Sequence, residues 1–410
     1  MTEHTHERPS AAAPGATDWR AVAVVVASGV IVALQVGKGI ITLPALRSDF
    51  ALDLEAAGWV ISVFAFLGVF GGIPAGVAVN RFGDRFLCWS GLLILAIGGL
   101  MSAAAGSFAF LLTGRIIEGL GFLLATVAAP ALLQRIVALH DRDFVFGLWS
   151  TYMPAGMAIA LLCGAAIEGW RGFWLLNAGL TATAALLVAV IVPRQGTRTT
   201  GLAWSALARD GWTTLISPGP LLLAITFTFY SLLYFALASF LPILLVERMA
   251  VSPAAAGILS AIVIAANVLG NLAAGMLLGR GLAARWSLIA AATIIMGLTG
   301  IAIFLAPLPP LLIFLLCVVF SGVGGLLPAT AMTAAPLLVS APRLAPMGLG
   351  LMMQGSNLGQ VIGPVTVGAA VDAAGWPAAA WPVAAAAGFA LLLASVLRSF
   401  APMRRAVTTT

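Results

Sequence analysis

A chain of 410 residues that is 61% hydrophobic and only 8% charged cannot cover itself with a water-compatible surface, which excludes a soluble globular protein. The class is an all-α polytopic membrane protein, with the lipid bilayer as its first partner. The net charge of +6 carries no argument for nucleic acid until the cations are assigned to sides of the membrane.

The N-terminal stretch Met1 to Asp18 is polar and contains Pro9 and Pro14. It reads as a disordered cytoplasmic tail, and the apolar run after it is too long for a signal peptide. His4 and His6 lie in this tail without the partners a metal site needs, so no metal or other cofactor is expected. The first apolar run, 21–43, contains Gln35, Gly37, Lys38 and Gly39, and Lys38 is the only lysine in the chain. About 20 apolar residues span the hydrocarbon core. Lys38 therefore lies within it, where an ionisable group is a functional hypothesis by default. The alternative is that its long stem lets the ammonium snorkel to the nearer surface.

Eleven further apolar runs follow, at about 57–79, 87–105, 110–133, 144–167, 173–192, 220–243, 254–278, 286–306, 310–338, 345–371 and 377–397. Twelve spans put both termini on one side. With that side inside, the outer loops hold only Arg47, Arg171 and Arg248, the membrane holds Lys38 and Arg115, and the other fifteen of the 20 cations are internal. The bias sets both termini in the cytoplasm, most simply of a bacterial inner membrane, and accounts for the basic charge without nucleic acid. The three cysteines, Cys88, Cys163 and Cys317, fall in or beside apolar runs and read as small core residues.

The longest interruption, 193–219, is polar and basic, with Trp204, Leu207, Trp212 and Leu215 spaced for a short helix in the membrane interface. It divides the chain into a 1–19 tail, a 20–192 bundle, the 193–219 linker, a 220–398 bundle and a 399–410 tail. The two bundles match at an offset of about 200 residues. Leu43-Pro44 pairs with Leu241-Pro242, Ala56-Ala57-Gly58 with Ala255-Ala256-Gly257, Gly76 with Gly275, and Gly147-Leu148 with Gly348-Leu349. Two six-helix pseudo-repeats around a central cavity are a recurring plan for secondary transporters.

Between the second and third runs stands Gly76-Val-Ala-Val-Asn80-Arg81-Phe82-Gly83-Asp84-Arg85. It resembles the loop signature of the major facilitator superfamily, Gly-x-x-x-Asp-Arg-x-Gly-Arg-Arg, with Asn80 in place of Asp and Asp84 in place of Arg. The resemblance implies a cytoplasmic latch made of charges and helix dipoles, of which the second repeat keeps Gly275 and Arg280. The fourth run carries Arg115-Ile-Ile-Glu118-Gly119, similar to the family's Arg-x-x-Gln-Gly with Glu118 for Gln. Arg115 and Glu118 are three residues apart and share a helical face. The family likeness implies that spans 1, 4, 7 and 10 line the cavity, which would bring Lys38, Arg115 and Glu118 together. The alternative is an ion pair that only braces its half-bundle.

The remaining polar residues within the spans are Tyr230 and Tyr234, Asn267 and Asn271, and the eleventh-span set Gln354, Ser356, Asn357 and Gln360. They serve as substrate contacts or as interhelical glue. Tyr152-Met-Pro154-Ala-Gly156 predicts a bend in the fifth span, and Ser321-Gly322 with Gly324-Gly325 a loosened tenth. No Walker phosphate loop, no Ser/His/Asp set and no metal spacing is present, so the expectation is a transporter and not an enzyme.

The expected function is secondary active transport of a small anion, a carboxylate clamped by Lys38 and Arg115 and aided by Gln35, Tyr230, Tyr234, Asn267, Asn357 and Gln354. Glu118 is the expected proton carrier, being the only acid placed inside the membrane, and a monomer is the expected working unit. The Gly37-Lys38-Gly39 segment, the fourth-helix motif and Pro154 also resemble the cyanate-permease branch of the superfamily. The competing reading is a proton-coupled exporter of drugs or metabolites. A transporter-like sensor or scaffold is a third, for which the short tails leave no signalling domain.

Overall fold

The computed structural model describes residues 16–52, 54–167, 169–194 and 204–404. The tail with His4 and His6 lies outside the described residues. Helices dominate because a backbone in lipid must satisfy its own hydrogen bonds. The N-terminal half contains helices Trp19–Phe50, Leu54–Phe82, Asp84–Ala103 and Phe108–Ile136, the broken pair Arg142–Ser150 and Tyr152–Ala166, and Trp170–Ile191. A helix over Trp204–Ile216 lies in the linker stretch, with Trp212 exposed. The C-terminal half contains Pro218–Ala238 with Leu241–Met249, then Pro253–Gly279, Arg285–Leu305, Pro310–Gly324 with Leu326–Leu338, Ala345–Ala374 and Ala380–Leu397. These are spans one to twelve. Side-chain caps start several of them; Ser107 accepts from Phe110 N–H and Ser252 from Ala255 N–H.

Eleven helical stretches among the described residues are long and apolar enough to cross a membrane. The span outside that set is the eleventh, Ala345–Ala374, which is 30 residues long but carries Gln354, Ser356, Asn357 and Gln360. Those amides lower its hydropathy, and most of its length is shielded from lipid by the second and seventh spans.

The two halves repeat one packing plan. In the N-terminal half the first span packs on the fifth and sixth, the third on the fourth and sixth, and the second on the fourth. In the C-terminal half the seventh packs on the eleventh and twelfth, the ninth on the tenth and twelfth, and the eighth on the tenth. Raising every number by six turns the first set into the second. The halves meet along two lines, second against eleventh and fifth against eighth, which the same operation exchanges.

Small residues let these helices approach closely. Gly355, Gly359 and Gly363, four apart on the eleventh span, face the backbone of Ala224, Thr228 and Leu232 on the seventh. A Cβ at Gly359 would lie 2.2 Å from the Thr228 carbonyl oxygen, so no other residue fits without moving the helix.

Two predicted bends have a visible cause. The fifth span breaks at Thr151, three residues before Pro154, which has no N–H to return to the Ser150 carbonyl. The tenth breaks at Gly325, three residues before Pro328. The Leu-Pro matches diverge: the first helix runs through Pro44 to Phe50, whereas the seventh breaks before Leu241-Pro242.

Candidate functional site

Lys38, Arg115 and Glu118 assemble inside the N-terminal half. Lys38 Nζ lies 3.2 Å from Glu118 Oε1, and Arg115 Nη1 donates to Glu118 Oε2. All three residues are fully buried, so Lys38 does not snorkel. Arg115 also donates from Nε to the Val60 carbonyl at 3.1 Å and from Nη1 to the Gln35 carbonyl at 3.2 Å. One carboxylate thus serves two cations, leaving a formal excess of one positive charge when Glu118 is ionised.

Aromatic faces share that excess. Lys38 Nζ is 4.4 Å from the Trp174 ring centroid, and the Arg115 guanidinium is 4.3 Å from that of Phe64. Thr42 accepts from Trp174 Nε1 at 3.1 Å and donates to the Lys38 carbonyl at 2.6 Å, fixing the indole over the ammonium. Gln35 donates to Thr181 Oγ1 at 3.0 Å on the sixth span. The Lys38–Glu118 side of the cluster therefore faces the third and sixth spans, where Gly98 and Gly99 leave room for Glu118 and Lys38, while Arg115 reaches the second span at Val60 and Phe64. Trp174, Phe64, Thr42 and Thr181 had no signal in the sequence beyond an apolar pattern.

The uncharged candidates lie elsewhere. A chamber of about 60 Å³ sits between the fifth, seventh, eighth, tenth and eleventh spans, lined among others by Tyr230, Tyr234, Asn267, Asn271 and Gln360. None of its lining residues is charged, and none belongs to the Lys38–Arg115–Glu118 cluster. Tyr230 and Tyr234 stack with ring centroids 6.0 Å apart. Asn267 Nδ2 donates to the Ser321 carbonyl at 2.9 Å, tying the eighth span to the tenth. Asn271 donates to Asn267 Oδ1 at 2.9 Å and keeps its own buried Oδ1 without a protein partner. The chamber's volume is well below the roughly 300–1,000 Å³ of sites that take drug-sized ligands. An organic ligand requires the halves to part.

Gln354 and Asn357 face the second span instead. The Gln354 amide straddles one turn of that helix, donating to the Val69 carbonyl at 3.0 Å and accepting from Ile73 N–H at 3.4 Å. Asn357 packs its amide on Gly68. Both are placed at the line where the two halves meet.

The loop between the second and third spans ties helix ends of the N-terminal half together. Gly83 adopts φ +93°, a conformation that favours glycine, and starts the third helix with Asp84 in its first turn. Arg135, at the end of the fourth span, grips Asp84 with Nε at 2.9 Å and Nη2 at 3.1 Å, and Nη2 also reaches the Pro193 carbonyl. Arg85 donates to the Ala189 carbonyl at the end of the sixth span. Gly76 packs on Pro346 of the eleventh span, Asn80 and Arg81 occupy the last turn of the second helix, and Arg81 is exposed. In the second repeat Gly275 faces open space and Arg280 is exposed at the helix C-cap. Arg135→Gln is expected to lower stability by about 1–3 kcal/mol by removing the cation that pairs with the buried Asp84 carboxylate. Arg280→Gln should stay within about 0.5 kcal/mol. Melting temperatures in detergent check both.

The sequence profile of the Major Facilitator Superfamily matches residues 25–280 and again residues 223–408. The chain belongs to the Major Facilitator Superfamily. The double match agrees with the repeated packing plan. Among curated members of this superfamily, the chain is 25% identical over 165 residues to the arabinose-proton symporter of Escherichia coli K12, covering 40% of this chain and 35% of that protein. It is 25% identical over 183 residues to the methylenomycin A resistance protein of Bacillus subtilis 168, covering 42% and 38%. The alignments thus span little more than a third of these relatives' length. The fold match is wider: a bacterial homologue of the human lysosomal transporter Spinster, inward-facing and occupied, superposes with a TM-score of 0.71 over 92% of this chain and 95% of that one, at 17% identity.

Proposed function

We propose that this protein is a proton-coupled secondary transporter of a small, uncharged, amphipathic molecule, working by alternating access. The observation that carries the reading is the separation of charge from chamber. The chamber at the meeting of the two halves has aromatic, amide and hydroxyl lining and no ionised side chain. The buried Glu118 carboxylate is held by two cations from the first and fourth helices, and none of the three lines the chamber. Glu118 in that cluster suits a proton carrier, since its protonation releases Lys38 and Arg115 and so changes the packing of five helices. The relatives named above for proton symport and for antibiotic resistance support coupling to protons and a chamber open to varied substrates. The arginine-rich end of the bundle, which carries the first and last described residues, is assigned to the cytoplasm of a bacterial inner membrane.

A second reading is favoured by the net positive charge of the cluster. In it a small anion enters between Lys38 and Arg115 when the helices reshape, as the likeness to the cyanate-permease branch implies. Thermal stabilisation of the purified protein separates the two. A panel of small carboxylates and inorganic anions is compared with neutral and cationic lipophilic compounds, on wild type and Lys38→Ala. Neutral compounds are expected to raise the melting temperature of both proteins by similar amounts. An anion that stabilises wild type alone would replace the first reading with the second.

A further inference from the structure

A second groove is unrelated to the chamber. It occupies about 430 Å³ at the arginine-rich end, between the start of the third span and the end of the sixth, and is lined by Phe82, Arg85, Phe86, Trp89, Ala189 and Arg194. Cations outnumber anions there. Asp84, directly behind the groove, has both oxygens engaged by Arg135. Among the described residues neither Arg85 nor Arg194 pairs with a carboxylate. Arg194 and Arg135 stand close enough to act on Arg85 as like charges, and the buried Arg85 Nε has no hydrogen-bond partner.

The other wall is aromatic and faces outward. Phe82 is 56% and Phe86 52% exposed, and Trp89 is half-buried one turn further along the helix. Aromatic rings at a helix end beside arginines mark the depth where acyl chains give way to headgroups. The second repeat has a counterpart of about 360 Å³ at the equivalent position, between the ninth and twelfth spans, lined by Trp286 and by aliphatic residues including Leu391 and Leu392. There the cation is already occupied: the Arg398 guanidinium stacks 4.7 Å from the Trp286 centroid. The two grooves share an aromatic wall and differ in available positive charge.

We infer that the groove between the third and sixth spans binds a phosphate-bearing anion, supplied by the anionic phospholipid of the surrounding membrane. The phosphate sits between Arg85 and Arg194, and an acyl chain follows Phe86 and Trp89 towards the bilayer core. Two guanidiniums facing an open groove supply the charge-assisted donors such a group requires. The site also spans the Asp84–Arg135 latch, so its ligand bridges the same two helix ends that Arg85 joins through Ala189.

Native mass spectrometry of the full-length protein in detergent tests this, with phosphatidylglycerol, phosphatidylcholine and inorganic phosphate as probes. Wild type is expected to bind phosphatidylglycerol roughly tenfold more tightly than phosphatidylcholine. Arg194→Gln, at an exposed position, and Arg85→Gln should each remove most of that preference. Arg398→Gln on the counterpart groove should keep it. Millimolar inorganic phosphate that displaces phosphatidylglycerol would keep the site and change the source to free phosphate. Equal binding of the two lipids by wild type would overturn the inference. So would a preference that survives both groove variants, or one lost in Arg398→Gln alone.

Discussion

Glu118→Gln is expected to destabilise the protein by about 3–5 kcal/mol, because it strands two buried cations that share one carboxylate. The neighbouring substitutions should be far milder, and the order follows from charge. Lys38→Met leaves a neutral Arg115–Glu118 pair and exchanges an ammonium for an apolar group of similar length. Its cost is expected near zero, since replacing buried charge by well-packed apolar volume is often neutral or stabilising. Arg115→Met leaves a neutral Lys38–Glu118 pair but abandons the Val60 and Gln35 carbonyls that the guanidinium satisfies. It should fall between the two. Melting temperatures of the three variants in one detergent give the ranking directly. A Lys38→Met variant as unstable as Glu118→Gln would show that the ammonium, and not the carboxylate, organises the cluster.

Proton-driven accumulation in vesicles is the second large effect. In Glu118→Gln it is expected to fall by roughly 5–150-fold, the range of a coupling free energy between two ligands. Exchange of substrate across the same vesicles should continue. Because the single variant strands two cations, the decisive form is Lys38→Met with Glu118→Gln. That double variant restores the wild-type formal charge of the cluster, one uncompensated cation. Its stability is expected to recover towards wild type while accumulation stays lost. Full proton-driven accumulation by the double variant would remove Glu118 from the mechanism and leave the cluster as a brace for the N-terminal half.

Much of the architecture was legible in the residues. Apolar runs of spanning length gave all the spans, because lipid imposes a minimum length and forbids unpaired backbone. Only the amide-rich eleventh falls below the others in hydropathy. The matched Gly and Pro positions at one offset gave the repeat that the packing plan displays. Arg115 and Glu118 were readable as a pair, since a spacing of three fixes them on one helical face.

The tertiary structure alone decided which way each face points. In a water-soluble helix the apolar stripe marks the core, but here lipid, bundle interior and neighbouring half are all apolar, so periodicity does not distinguish them. For that reason Lys38, Arg115 and Glu118 were grouped with Tyr230, Tyr234 and Asn267 as one site. The fold separates them into a cluster within the N-terminal half and a chamber facing the other half. Gln354 and Asn357 turn out to pack from the eleventh span against the second, at the line between the halves. Asp84 departs from the family signature in sequence, yet in space it is the residue that Arg135 holds from 51 positions away. Composition and spacing determined that this chain crosses a membrane in two like halves. Helix packing determined which buried charges meet one another and which surface is left for a ligand, because those contacts join spans that no local pattern connects.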